Sequence, residues 1–174
     1  YDVPDLGPWK VKNGLIPKLG DRAPKSPRPA QEEAVLKHLS RPQPGRYGNE
    51  RNIRDRLIYQ LGARSGMRRG EMCRLRWGDI QDGKNGLGFT LIQGKGDRIG
   101  KVRYSAETMG LFGEYRKYVP HEDDDSVLWT IPSYQHPQRV PMQPITVTRA
   151  VNEMGEAAGF HLGVHMLRHR TAFY

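Results

Sequence analysis

The sequence predicts an α+β fold, mainly helical, with one small β-hairpin region. Three observations carry that expectation. Ile53, Leu57, Ile58 and Leu61 recur at i, i+4, i+5 and i+8, one buried helical stripe. A single stretch changes period: Phe89 and Leu91 alternate with Thr90 and Ile92, then Gly94-Lys95-Gly96-Asp97 turns the chain into a returning strand from Ile99 to Tyr104. The length, 174 residues of which 36% are hydrophobic, suits one domain with an ordinary core.

The elements follow in order. Residues 1–29 hold six prolines (Pro4, Pro8, Pro17, Pro24, Pro27 and Pro29) among many lysines and arginines, so residues 1–26 read as an extended linker or arm. The opening Tyr1-Asp2-Val3-Pro4 shows no basic-then-apolar leader and no Met, as expected of an excised piece. A short helix is predicted from Gln31 to Leu39, with Ala34, Val35 and Leu39 on its apolar side, followed by a loop through Pro42, Pro44, Gly45 and Gly48. The striped helix begins near Asn52 and stops at Gly66. A second short helix, Arg69 to Arg76, turns Met72 and Leu75 inward before Trp77-Gly78-Asp79 breaks it. After the hairpin come a helix over Ala106–Val119, an acidic loop from Glu122 to Asp125, the apolar segment Val127–Trp129, and a loop from Pro132 to Pro144. A helix from Thr146 to Ala158 closes at Gly159, and a last one starts near His165.

The charge balance narrows the partner. Lys and Arg number 28 against 19 Asp and Glu, a net charge of +9 with a pI near 9.8. That is the electrostatic footprint of a nucleic-acid binder, although ribosomal and RNA-binding proteins share it. No stretch approaches the length of a membrane span. The single cysteine, Cys73, permits no internal disulfide and is expected as a small core residue.

Three separated pieces carry chemistry. Arg68 stands where one helix ends and another starts, beside the free N–H groups of the new helix, and Glu71 three residues on shares its face. Lys95 sits at the hairpin tip, able to reach a phosphate or a leaving oxygen, or else in a plain flexible turn. This is no P-loop: Gly96 follows the lysine where Ser or Thr should hold magnesium. The third piece is His165-Met166-Leu167-Arg168-His169, where helical spacing puts His165 and Arg168 on one face. His165 and His169 have zinc-like spacing, but no Glu follows His165, and Arg168 would repel a cation. No metal and no cofactor is expected, and His121 with Glu122–Asp125 reads as a solvated loop.

Together the pieces resemble the tyrosine recombinase (phage integrase) family over roughly residues 27–174. Gly66-Met67-Arg68-Arg69-Gly70-Glu71 and Leu75-Arg76-Trp77-Gly78-Asp79-Ile80 look like its first arginine segment, Gly94-Lys95-Gly96 like its hairpin lysine, and His165–His169 like its second box. The resemblance implies the catalytic-domain fold of that family and metal-free phosphoryl transfer on double-stranded DNA. Arg68 and Arg168 would clamp the scissile phosphate, Lys95 would protonate the departing 5′ oxygen, His165 would assist proton transfer, and Glu71 would hold Arg68. Arg98, Lys101 and Arg103 are candidate DNA contacts.

The family also needs a further His or Trp and a nucleophilic tyrosine downstream, so the chain is expected to be a partial catalytic domain without its nucleophile. Tyr174 lies about 180° around the last helix from His165, at about 100° per residue, and is expected in the core. Such a piece should be monomeric and bind DNA weakly without cutting it. The resemblance implies a homotetramer on two duplexes for a full-length protein, in the cytoplasm with the nucleoid. Two neighbouring readings are a type IB topoisomerase-like or telomere-resolving enzyme and a non-catalytic DNA-binding protein of the same fold. An RNA-binding module would show more strand aromatics than Phe89 and Tyr104.

Overall fold

The computed structural model describes residues 26–93 and 99–171, so residues 1–25 of the arm expected over 1–26, the hairpin tip with Lys95 and Arg98, and Tyr174 lie outside the described residues. Helices α1 (Pro29–Leu39), α2 (Gly48–Ala63) and α3 (Arg69–Arg74) come first. Strands β1 (Gln81–Asp82), β2 (Gly88–Gln93) and β3 (Ile99–Tyr104) follow, then α4 (Ala106–Tyr115), α5 (Pro144–Ala157) and α6 (Val164–Thr171). The α1 helix starts earlier than predicted because Pro29 presets its first turn and the Gln31 side chain accepts from the Arg28 N–H at 2.9 Å. The α4 helix stops short of Val119, its end tightening into a Tyr118 N–H to Tyr115 carbonyl bond of 3.0 Å ahead of Pro120.

Helix α2 is the axis of the domain: α1, α3, α4, α5 and α6 all pack on it. The predicted stripe is buried at Leu57, Ile58 and Leu61, but from Leu57 to Ala63 every residue is buried, so this half is enclosed on all sides. Its polar half enters the interior only with partners. Arg54 and Asp55 pair at 2.7 Å, and burial still pushes the Asp55 carboxyl above its ordinary range. Near the helix start, Glu50 is 2% exposed and receives both terminal nitrogens of Arg139, Nη2 at 2.7 Å from Oε2.

That pair anchors a tongue absent from the sequence expectation, which placed only a loop there. Trp129 bridges Pro141, the Thr130 N–H donates to the Val140 carbonyl at 2.9 Å, and Ser133 and His136 close the tip. The acidic loop is likewise a structural clasp. Its carbonyls at Asp125 and Asp123 accept from the Trp77 and Gly78 N–H groups at 3.2 and 2.9 Å, while its carboxylates stay on the surface.

The three strands form one antiparallel sheet in the order β1-β2-β3. Thr90, Val102 and Tyr104 face inward, and Tyr104 meets Phe112 of α4 edge-on with centroids 5.2 Å apart. The alternation therefore sends Phe89, Leu91, Lys101 and Arg103 to the outer face.

Candidate active site

The chain leaves α2 through Gly66, whose φ of +67° suits glycine, with the Met67 N–H donating back to the Leu61 carbonyl at 2.9 Å. Met67 is fully buried and fixes the next residue, Arg68, as the cap of α3. Glu71 then grips Arg68 twice: Oε2 accepts from the Arg68 backbone N–H at 2.7 Å, and Oε1 from Nη1 at 2.8 Å. Burial opposes the charge on Glu71, but these two bonds and the guanidinia of Arg68 and Arg168 outweigh it and hold the carboxyl below its ordinary range. The Arg68 side chain stays 59% exposed, so most of its donors face solvent. The cap changes one expectation: the Arg68 N–H is taken by Glu71 and is not free for an anion.

The opposite wall is α6. Gly62 of α2 leaves room for it: a Cβ there would lie 3.1 Å from two side-chain carbons of Leu167. With Leu167 seated against α2, His165 is exposed and Arg168 half-buried on one side of α6. Arg168 has no hydrogen bond or ion pair among the described residues. The strap between α5 and α6 is equally fixed. Gly159 has φ of +82°, and the Asn152 amide, oriented by its surroundings, donates to the Leu162 carbonyl at 3.1 Å.

Between these walls lies a cleft of about 520 Å³ that Arg68, Glu71, His165 and Arg168 all line. Pieces about a hundred residues apart in sequence thus share one cavity. Arg69, Arg74, Thr148, Asn152 and His161 line it too, although the sequence motifs do not single them out. Glu71, the one acidic side chain that lines it among the described residues, is already committed to Arg68. Planar guanidinium forks around a cavity whose described acid is already ion-paired suit a phosphate or another tetrahedral oxyanion.

A model of the phage integrase family matches residues 28–174. The chain belongs to the phage integrase family. It is 31% identical over 163 residues to tyrosine recombinase XerA of Pyrococcus furiosus, covering 94% of this chain and 51% of the relative. It is 27% identical over 172 residues to tyrosine recombinase XerC of Xylella fastidiosa, covering 94% and 54%. The chain therefore spans about half the length of the curated relatives it matches. Among solved structures, the XerH site-specific recombinase in a post-cleavage complex with its palindromic difH substrate superposes with a TM-score of 0.67 at 24% identity, covering 91% of this chain and 44% of that one. The crystal structure of XerA recombinase gives 0.63 at 21%, covering 90% and 50%. The fold is that of a tyrosine recombinase catalytic domain, mainly helical with a small antiparallel sheet.

In this integrase-family chain, Lys101 and Arg103 do not line the cleft. They line a second cavity of about 450 Å³ on the outer sheet face with Lys84 and Phe89, and Lys101 Nζ stands 3.6 Å from the Phe89 ring centroid. Cys73 is half-buried rather than fully in the core, and burial pushes its thiol up to about 11. No helix among the described residues is long and apolar enough to cross a membrane.

Proposed function

We propose that this chain supplies the phosphate-clamping part of a site-specific DNA recombinase that cuts and rejoins double-stranded DNA through a 3′-phosphotyrosyl intermediate. The observation that carries the reading is the shared cleft of Arg68, Glu71, His165 and Arg168. Arg68 and Arg168 fork the non-bridging oxygens of the scissile phosphate and oppose the charge that grows there in the transition state. Glu71 fixes the direction of the Arg68 fork. His165 holds the phosphate or moves a proton at the nucleophile, and Lys95 protonates the departing 5′ oxygen. Arg98, Lys101 and Arg103 contact DNA outside the cleft. The tyrosine nucleophile comes from sequence after residue 174, and the 174-residue chain alone binds DNA as a monomer without cutting it. The complete protein works in the cytoplasm as a homotetramer on two duplexes.

The test is covalent capture. Protein expressed from the complete reading frame is incubated with DNA carrying its crossover site in the presence of EDTA. A protein–DNA adduct is expected, formed about 10²–10³-fold more slowly by Arg168→Ala. A complete reading frame that encodes no tyrosine downstream would sink the catalytic reading and leave a DNA-binding protein of the same fold.

A further inference from the structure

Arg68 and Arg69 are neighbours in the chain, yet their guanidinia are held by different elements. Arg68 Nη1 is bound to Glu71 of α3 at 2.8 Å. Arg69 Nη1 donates to Thr148 Oγ1 of α5 at 3.2 Å. The Thr148 hydroxyl itself donates to the Pro144 carbonyl at 3.0 Å, which turns its lone pairs toward Arg69. A guanidinium has five donors, and no other partner of Arg69 is found among the described residues. Arg69 lines the same cleft, as does His161. Among the described residues, the acid that lines this cleft is Glu71, and it is committed to Arg68. The cavity, about 520 Å³, falls in the range of sites for molecules far larger than one oxyanion.

We propose that Arg69, pinned by Thr148, forms a second phosphate seat beside the Arg68–Arg168 clamp and takes another backbone phosphate of the bound DNA. The inference rests on the DNA-binding reading above. The two guanidinia are anchored independently, Arg68 to Glu71 of α3 and Arg69 to Thr148 of α5, and each keeps donors to spare. Each serves its own phosphate, and the pair fixes the direction in which the backbone crosses the cleft. Thr148 is a positioning residue: it removes part of the rotamer freedom that Arg69 would otherwise lose on binding.

The experiment measures binding of the 174-residue chain to a short DNA duplex as a function of salt. Each phosphate neutralised contributes about 0.9 to the slope of log K against log salt. Arg69→Gln is expected to lower the slope by about 0.9, while Lys37→Gln on the exposed side of α1 leaves it at the wild-type value. Thr148→Val should keep the slope but weaken binding a few-fold, Thr148→Ser should restore it, and Thr148→Val should have no effect in the Arg69→Gln background. Urea melts of each variant check that the fold is retained. An unchanged slope for Arg69→Gln, an equal loss for Lys37→Gln, or a Thr148→Val effect that persists without Arg69 overturns the second seat. A wild-type chain with no salt-dependent binding overturns the DNA reading, and the seat with it.

Discussion

Two arginine–glutamate pairs bracket α2, and they differ in what they leave free. At its start, Arg139 gives both terminal nitrogens to Glu50, its side chain is 23% exposed, and its guanidinium also approaches the Tyr47 ring at 5.8 Å. Beyond its end, Arg68 gives one nitrogen to Glu71 and remains 59% exposed. The first pair closes on itself and fastens the tongue to the helix. The second uses its carboxylate as a handle, so that the guanidinium is aimed but unspent. An arginine–carboxylate pair is thus structural or functional according to how many donors it leaves over.

Breaking each pair should separate the two roles. The largest effect is expected at the tongue: Arg139→Ala strands a buried carboxylate and should cost about 3–5 kcal/mol of stability in urea melts. Arg68→Ala should cost less, about 1 kcal/mol, since the Arg68 side chain is itself 59% exposed and Glu71 keeps its bond from the residue-68 backbone N–H, while duplex binding falls sharply. Equal stability losses for the two variants would erase the distinction.

A smaller effect is expected on acidification. Because Glu71 titrates below its ordinary value in the folded protein, its stabilising contribution is fully present above that ordinary value, near 4.5, and is lost as pH falls through the folded one. Glu71→Gln should lower stability at neutral pH by about 1 kcal/mol and flatten the acid limb of the stability profile below pH 4.5. A variant with the wild-type acid limb would show that the handle stores no electrostatic energy.

The smallest perturbation is a label. Cys73 lies on α3 beside the second pair, and with its thiol up to about 11 it should alkylate at pH 8 roughly 10²-fold more slowly than a free cysteine. Rapid labelling of the folded protein would mean that α3 frays and that the handle is not rigid.

Much of this architecture was legible in periodicity. The stripe in α2, the β2–β3 hairpin and the placing of His165 with Arg168 on one side of α6 follow from local spacing, which the chain expresses wherever one face meets a core. The tongue and the Glu50–Arg139 pair were not legible, because the two residues are 89 positions apart and neither has a local pattern. The same holds for Arg69 with Thr148: each is an ordinary polar residue until two helices are brought together. Lys101 and Arg103 show a signal that was available. With Val102 and Tyr104 as the inward residues of β3, simple alternation already sends both cations to the outer face of the sheet. The β1 strand is too short to have any period.

The clasp formed by Glu122, Asp123, Asp124 and Asp125 has a kinetic consequence. It gathers four carboxylates into one surface loop that contributes nothing to the cleft, where Arg68, Arg69, Arg74 and Arg168 gather instead. Among the described residues the cleft is thus a local concentration of positive charge on a chain that is a net cation. In the field of a polyanion those arginines are the part of the cleft surface drawn forward most strongly before contact. Collisions in the wrong orientation are thinned out, and the association rate constant should fall steeply as added salt shortens the reach of that field.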